Sequence, residues 1–81
     1  MKPYVLKISQ RKHKKYVALF PNGLSVHFGD NRYQQFKDSS GLGVYSHLNH
    51  GDKNRRRLYY ARHGKKAKTH SAKWFSHKYL W

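Results

Sequence analysis

The chain has 81 residues, no cysteine and a net charge of +15, from 18 Lys and Arg against three acidic residues. This length suits one small basic domain over residues 1–81 and excludes a second core, while the lack of cysteine excludes disulfides and thiolate metal sites. Aromatic residues make up 16% of the chain, which is unlike a disordered basic tail and predicts a folded domain.

The first part of the chain predicts two β-strands. Residues 4–9 alternate, with Tyr4, Leu6 and Ile8 on one side, which is typical of a strand. The basic run 11–15 follows, and we expect it to be too polar to be buried. Residues 16–20 are an apolar run of residues that favour β structure and predict the second strand.

A tight turn and a return strand complete the predicted sheet. Residues 21–23 have the sequence Pro-Asn-Gly, which favours a sharp reversal between two apolar runs. Residues 24–28 then alternate strictly, so that Leu24, Val26 and Phe28 face inward. The sequence therefore predicts a three-stranded antiparallel meander.

The next segment predicts a loop that packs over the sheet. Gly29 and the two residues after it end the sheet, and the Ser-Ser-Gly-Leu-Gly run at 39–43 favours irregular structure up to about residue 51. The segment is too apolar for a free linker, so we expect it to be ordered against the strands. Its large apolar residues are Tyr33, Phe36, Leu42, Val44, Tyr45 and Leu48.

An arginine-rich helix is predicted over residues 53–63. Asp52 is a favoured residue at a helix N-cap, and Gly64 is a favoured residue just past a helix C-terminus. One narrow apolar stripe should dock on the domain while the arginines face outward. The residues of that stripe are Leu58, Tyr59 and Ala61.

A short aromatic helix is predicted at the carboxy end. Residues 64–70 form a basic connector, and Ser71 offers an N-cap to a helix over residues 72–81. The apolar arc of this helix is too wide to be covered by one small sheet, so we expect it to be shared between the core and a partner. The predicted partner anchors are Trp74, Phe75, Tyr79 and Trp81.

Together these elements predict an α+β fold, with a small three-stranded antiparallel sheet followed by a packed loop, an arginine-rich helix and a short aromatic C-terminal helix. No apolar run approaches the length of a membrane span, and we expect none.

Uncompensated positive charge is the main functional signal. Positive side chains in this excess repel one another within the chain. Binding to phosphates or clustered carboxylates relieves that repulsion and releases counterions. Guanidinium groups also match phosphate and carboxylate oxygens in bidentate geometry. The predicted anion- or nucleic-acid-binding residues are Arg11, Lys12, Lys14, Lys15, Arg55, Arg56, Arg57, Arg62, Lys65, Lys66 and Lys68.

Catalytic and metal chemistry are weakly supported. Histidines invite a zinc site, but no cysteine assists them and a strongly positive field repels a dication. Residues 46–50 faintly resemble the His-Asn core of small metal-dependent nucleases, yet the acids that would neutralise a metal are nearly absent. We therefore predict no catalytic residue, no metal, no cofactor and no small-molecule substrate. The histidines considered are His47, His50, His63 and His70.

Several tyrosines lie near the cations and could stack on unpaired bases. In so short a chain, however, aromatic residues are the main material of any core, and the core interpretation is favoured. The tyrosines are Tyr16, Tyr33, Tyr45, Tyr59 and Tyr60.

Four stretches carry a resemblance to a known family. They are residues 14–23, 26–29, 52–63 and 71–81, in matching order and spacing. From about Lys15 to Trp81 the chain resembles small basic proteins of large nucleocytoplasmic DNA viruses of algae and amoebae, largely without assigned function. The resemblance implies a viral protein in the virion or in the cytoplasm or nucleus of the infected cell.

Two functions follow from charge and resemblance. The favoured one is a non-enzymatic, virion-associated structural protein of the minor capsid or cement type, which contacts anionic protein or nucleic-acid surfaces within a larger assembly. The alternative is a nucleic-acid-binding protein that coats or compacts DNA or RNA without reading base sequence. Composition does not separate the two, because both require the positive charge.

Overall fold

The computed structural model describes residues 2–81 and has an α+β fold. Three strands, β1 (Val5–Ile8), β2 (Lys14–Leu19) and β3 (Ser25–Asp30), form an antiparallel sheet in the order β1-β2-β3. A loop segment (31–51) with one short 3₁₀ turn (Ser46–Leu48) leads to helix α1 (Lys53–His63) and then to helix α2 (Ala72–Tyr79). The predicted architecture is confirmed.

The core lies between the sheet and α2. Phe28 of β3 stacks on Phe75 of α2, with ring centroids 5.2 Å apart, and Tyr4 meets Phe75 edge-on at 4.9 Å. Leu80, directly after α2, is 1% exposed and joins the same cluster. Gly29 allows this approach, because a Cβ at its φ of +76° would lie 2.8 Å from Leu80 Cδ1.

The loop segment packs against the sheet, as predicted. Tyr16 on β2 donates its hydroxyl hydrogen to Asp38, and its ring meets Tyr45 edge-on at 5.3 Å. Gln35 is fully buried and donates from Nε2 to Tyr45 O at 2.8 Å and to Asn49 Oδ1 at 2.6 Å. The buried amide therefore holds two distant parts of the loop together.

The sequence-based prediction for the basic run between the first two strands is partly wrong. β2 begins at Lys14 rather than Tyr16, and Lys15 is only 2% exposed. The expectation that this run is too polar to be buried is therefore wrong for Lys15. Its aliphatic stem lies beside Gly29, and its ammonium group finds partners in the loop segment, which the local sequence does not reveal.

Strand β3 also differs from its predicted boundaries. Leu24 lies just before the strand and is 55% exposed, so the prediction that it faces inward is wrong. The strand continues through Gly29 to Asp30, although Gly29 was expected to end the sheet. Phe28 is buried as predicted, because its ring packs against Phe75 and Tyr79 of α2.

Both helices begin where they are predicted to begin. The Asp52 side chain accepts hydrogen bonds from the Asn54 and Arg55 amides, and the Ser71 hydroxyl accepts one from the Trp74 amide. α2 ends at Tyr79, two residues before the predicted end. No helix in the described part of the chain is long and apolar enough to cross a membrane.

Candidate anion-binding site

A cleft of about 860 Å³ opens between α1, the end of β3 and the end of α2. We call it the α1 cleft. The side chains that define it are Asp30, Arg32, Arg55, Tyr59, Arg62 and Trp81.

Helix periodicity aligns the cleft side of α1. Arg55, Tyr59 and Arg62 are spaced i, i+4 and i+7, so they share one face of the helix. The two arginines are separated along the helix axis by about 10 Å. Both guanidinium groups therefore line the same side of the cleft.

α1 is held against the domain by aromatic and polar contacts rather than by buried apolar residues. None of its residues is buried, and Leu58 is 47% exposed. The Tyr59 ring stacks on Trp81 with centroids 4.3 Å apart and planes 5° apart. The predicted docking stripe is therefore wrong for Leu58 and Ala61, which are both exposed, and correct for Tyr59.

A histidine on α2 fixes the carboxy end of α1. Because a carbonyl oxygen only accepts, His77 Nε2 donates to Gly64 O at 2.9 Å, and the Tyr59 hydroxyl lies 3.0 Å from His77 Nδ1. Burial lowers the pKa of His77, and nearby Lys73 lowers it further. Burial also raises the pKa of Tyr59 to about 12. Both side chains are therefore neutral near pH 7.

All three acidic side chains of the described residues are engaged internally. Asp30 pairs with Arg32 at 2.8 Å, and the Arg32 guanidinium holds the pKa of that carboxyl well below its usual range. Burial raises the pKa of Asp38, but hydrogen bonds from Ser40 and Tyr16 outweigh burial and lower it. Asp52 caps α1.

The cations of the α1 cleft therefore have little internal compensation. Within residues 2–81, Arg32–Asp30 is the single ion pair between side chains. Arg55 donates to the neutral side chain of Gln34 at 2.8 Å. The cleft is thus a positive surface whose lone acid, Asp30, already has a cationic partner.

The structure divides the predicted anion-binding residues into groups. Arg55 and Arg62 come together in the α1 cleft, and Lys65 and Lys66 line a separate pocket described below. Lys15 lines the cleft but is buried, which contradicts its assignment as a surface contact for anions. The exposed residues Arg11, Lys12, Arg57 and Lys68, and the half-buried Lys14, lie outside both sites.

Arg56 stabilises the fold through its contacts. Its guanidinium lies 4.9 Å from the centre of the Phe36 ring, and its Nε donates to Trp81 O at 2.6 Å. Arg57 instead donates to Asn54 Oδ1 within α1, at 2.7 Å. Neighbouring arginines of one run therefore have different roles, although the sequence alone gives no reason to distinguish them.

Half of the predicted partner anchors belong to the core. Phe75 is 0% exposed and Tyr79 is 4% exposed, with the Tyr79 hydroxyl 2.6 Å from that of Tyr4. These two residues cannot anchor a partner while the domain is folded. Trp74 and Trp81 are half-buried, and Trp81 lies between the rings of Tyr59 and His50.

The stacking interpretation now depends on one tyrosine. Tyr16 is fully buried, while Tyr45, Tyr59 and Tyr60 are half-buried against other rings. Tyr33 is 65% exposed beside the α1 cleft, with Arg32 over its ring.

Among residues 2–81, no three metal-ligating side chains cluster in a way that could hold a metal ion.

Two basic residues of the cleft were absent from the predicted anion-binding set. Arg32 follows β3 in a segment that was predicted as loop, and His63 lies four residues after Tyr59 on the same face of α1. The i+4 spacing of His63 was visible in the sequence, but which face of α1 docks depends on Trp81 and His77, far along the chain.

Comparison with known proteins adds a family match but no function. A family of unknown function (DUF5754) matches residues 4–39, which cover the sheet and the first part of the loop segment. The match spans less than half of the chain and does not reach α1 or α2. No curated protein and no solved structure matches the chain.

Proposed function

We propose that this chain is a non-enzymatic, sequence-nonspecific nucleic-acid-binding protein whose α1 cleft receives a phosphate backbone. The observation that supports the proposal most is the pairing of Arg55 and Arg62 on one face of α1, beside an acid that is already neutralised. Arginine forks bind phosphate oxygens in bidentate geometry, and no internal carboxylate competes for these two.

Backbone contact is a better fit than base readout. Phosphate contacts position a protein on nucleic acid without carrying sequence information. The aromatic rings that would read or stack on bases are mostly used inside the fold, with Tyr33 as the exposed exception. The proposed partner is therefore any DNA or RNA strand that presents a regular row of phosphates.

Charge-removal variants of α1 test the proposal. Binding of a fluorescently labelled random-sequence duplex should weaken at least about tenfold in Arg55→Gln/Arg62→Gln, since charge-assisted hydrogen bonds contribute about 1.5–3 kcal/mol each. The matched control, Lys53→Gln/Arg57→Gln, removes the same charge from exposed positions outside the cleft and should cost about two- to threefold.

Two results would count against this function. Equal losses in the two variants would mean that the α1 cleft is not the contact, and a large preference between unrelated duplex sequences would mean that bases are read. Circular dichroism of each variant checks that the fold is retained.

A minor capsid or cement protein of a virion is the second candidate. It is supported by apolar side chains that the sheet leaves exposed, since Val5 is 57% exposed and Leu19 is 41% exposed, opposite each other in the β1–β2 register. Half-buried Trp74 adds a further aromatic contact. Such a surface suits a protein neighbour better than a phosphate backbone.

Particles opened and emptied of genome distinguish the two candidates. A capsid protein should remain with the shell and be released by Val5→Ser/Leu19→Ser, whereas a nucleic-acid-binding protein should leave with the genome. Truncation before Trp74 is unsuitable as a test, because it would remove Phe75, Tyr79 and Leu80 from the core.

A further inference from the structure

A second positive pocket lies on α2 and the basic connector. It has a volume of about 560 Å³ and no acidic lining residue. We call it the lysine pocket. Its lining residues are Lys65, Lys66, Ala67, Trp74, His77 and Lys78.

The lysine pocket and the α1 cleft lie on opposite sides of α2. Ser76 and Leu80 line the cleft, whereas Trp74 and Lys78 line the lysine pocket, and the two sets share no residue. At 3.6 residues per turn, the two pairs point in directions about 160° apart around the helix axis. A ligand in one site therefore does not cover the other.

The wall between the two sites is hydrogen-bonded. His77 lines the lysine pocket, and its ring lies within hydrogen-bond distance of both Gly64 O and the hydroxyl of the cleft residue Tyr59. Lys78 Nζ lies over the half-buried Trp74 ring, 5.6 Å from the ring centre. The separation of the two positive sites is thus fixed by the fold and does not depend on a flexible tail.

Charge also favours a second ligand. With 18 basic and three acidic residues, a duplex in the α1 cleft leaves the lysines on the far side of α2 without a negative partner. Those lysines still gain from counterion release when they meet another phosphate backbone. Self-association is disfavoured meanwhile, because each copy carries the same surplus.

We propose that the α1 cleft and the lysine pocket bind two separate nucleic-acid segments at once, so that a single copy of the chain bridges them. This inference rests on the proposed nucleic-acid-binding function and adds a second site and a mechanism of compaction. One molecule then joins two backbones without dimerisation.

Energy transfer between two sets of short duplexes tests the bridging. Half of the 12-base-pair duplexes carry a donor dye and half an acceptor dye, and the protein is added at less than one copy per duplex. Such a duplex is about 40 Å long and far shorter than the persistence length of about 150 base pairs, so it cannot bend around α2. The native chain should produce energy transfer that is lost in high salt.

Variants that remove one site at a time make the result specific. Each of the variants Arg55→Gln/Arg62→Gln and Lys65→Gln/Lys78→Gln should still bind a duplex. When the same fraction of duplex is bound, the energy transfer should be at least about tenfold lower than with the native chain. The control Lys7→Gln/Lys37→Gln removes the same charge from exposed positions outside both sites and should retain the energy transfer.

The failures of the two proposals are distinguishable. A native chain that binds duplex with salt-sensitive affinity but gives no transfer overturns bridging and leaves the nucleic-acid function standing. Undiminished transfer in either single-site variant also overturns it, since it would indicate bridging through protein association. A native chain that binds no duplex overturns both proposals.

Discussion

Lys15 carries a charge into the interior of the domain. Its ammonium group donates to Tyr33 O at 3.0 Å and to the Gln35 side chain, which itself contacts Tyr45 and Asn49. Burial lowers the pKa of Lys15 from 10.5 to about 8, although Asp30 and Asp38 oppose the shift. One buried cation thus joins β2 to the loop segment at a cost in desolvation.

The lowered pKa predicts a pH dependence of stability. Between pH 8 and 10.5 the unfolded chain keeps the Lys15 proton while the folded chain loses it, so the free energy of unfolding rises with pH. Relative to Lys15→Met, the native chain should gain up to about 3 kcal/mol over this window. Chemical denaturation at a series of pH values measures the gain.

An exposed lysine provides the control for Lys15. Lys7→Met removes one positive charge from an exposed position on β1, so it should not reproduce the pH-dependent difference seen with Lys15→Met. Parallel plots of unfolding free energy against pH for the native chain and Lys15→Met would contradict this prediction, because they would mean that burial of Lys15 does not destabilise its charged form.

A sequence pattern correctly predicts the role of a residue when that residue's contacts lie close to it in the sequence. The caps Asp52 and Ser71 were predicted correctly, because a cap depends on the three residues that follow it. The burial of Lys15 depends on Tyr33 and Gln35, which are distant in sequence, and no pattern within residues 11–15 could reveal it. The exposure of Leu24 likewise depends on where β3 begins.

Helix α1 is attached to the rest of the fold without burying any of its own residues. Its polar sequence gives it no buried residue, and an isolated helix of 11 residues is marginal in water. Its attachment depends on the stack of Tyr59 on Trp81 and on the contacts of Tyr59 and Tyr60 with His77. The sequence predicted α1 and the docking of Tyr59, but it wrongly included Leu58 and Ala61 in the docking stripe.

Removing the Tyr59 ring should release α1 without unfolding the sheet. In Tyr59→Leu, amide hydrogen exchange in α1 should accelerate about 10- to 100-fold, from the loss of one aromatic pair and one hydrogen bond. Amides of β2 should keep their protection, because the core of the sheet does not include Tyr59.

Leu58→Ala is the matched control for this exchange experiment, since Leu58 is adjacent and 47% exposed. It should change exchange in α1 by less than the Tyr59 variant does. Equal acceleration in β2 and α1 of the Tyr59 variant would contradict the account, because it would mean that α1 is part of the central cooperative unit.

For the whole molecule, surplus charge is the property that folding does not resolve. The chain carries a net charge of +15, and its carboxylates serve a helix cap, a loop and one ion pair. The sequence predicted this surplus from composition alone. It could not predict that α2 separates two positive sites, since that division depends on how α1 docks.

The salt dependence of nucleic-acid binding tests the central claim most directly. If phosphates neutralise the surplus charge, log affinity for a random-sequence duplex should fall linearly with log salt, with a slope on the order of −5 for five to six phosphate contacts. The slope should be less steep by about 2 in Arg55→Gln/Arg62→Gln. A slope near zero, or an unchanged slope in that variant, would contradict the claim that the α1 cleft is a phosphate-binding site.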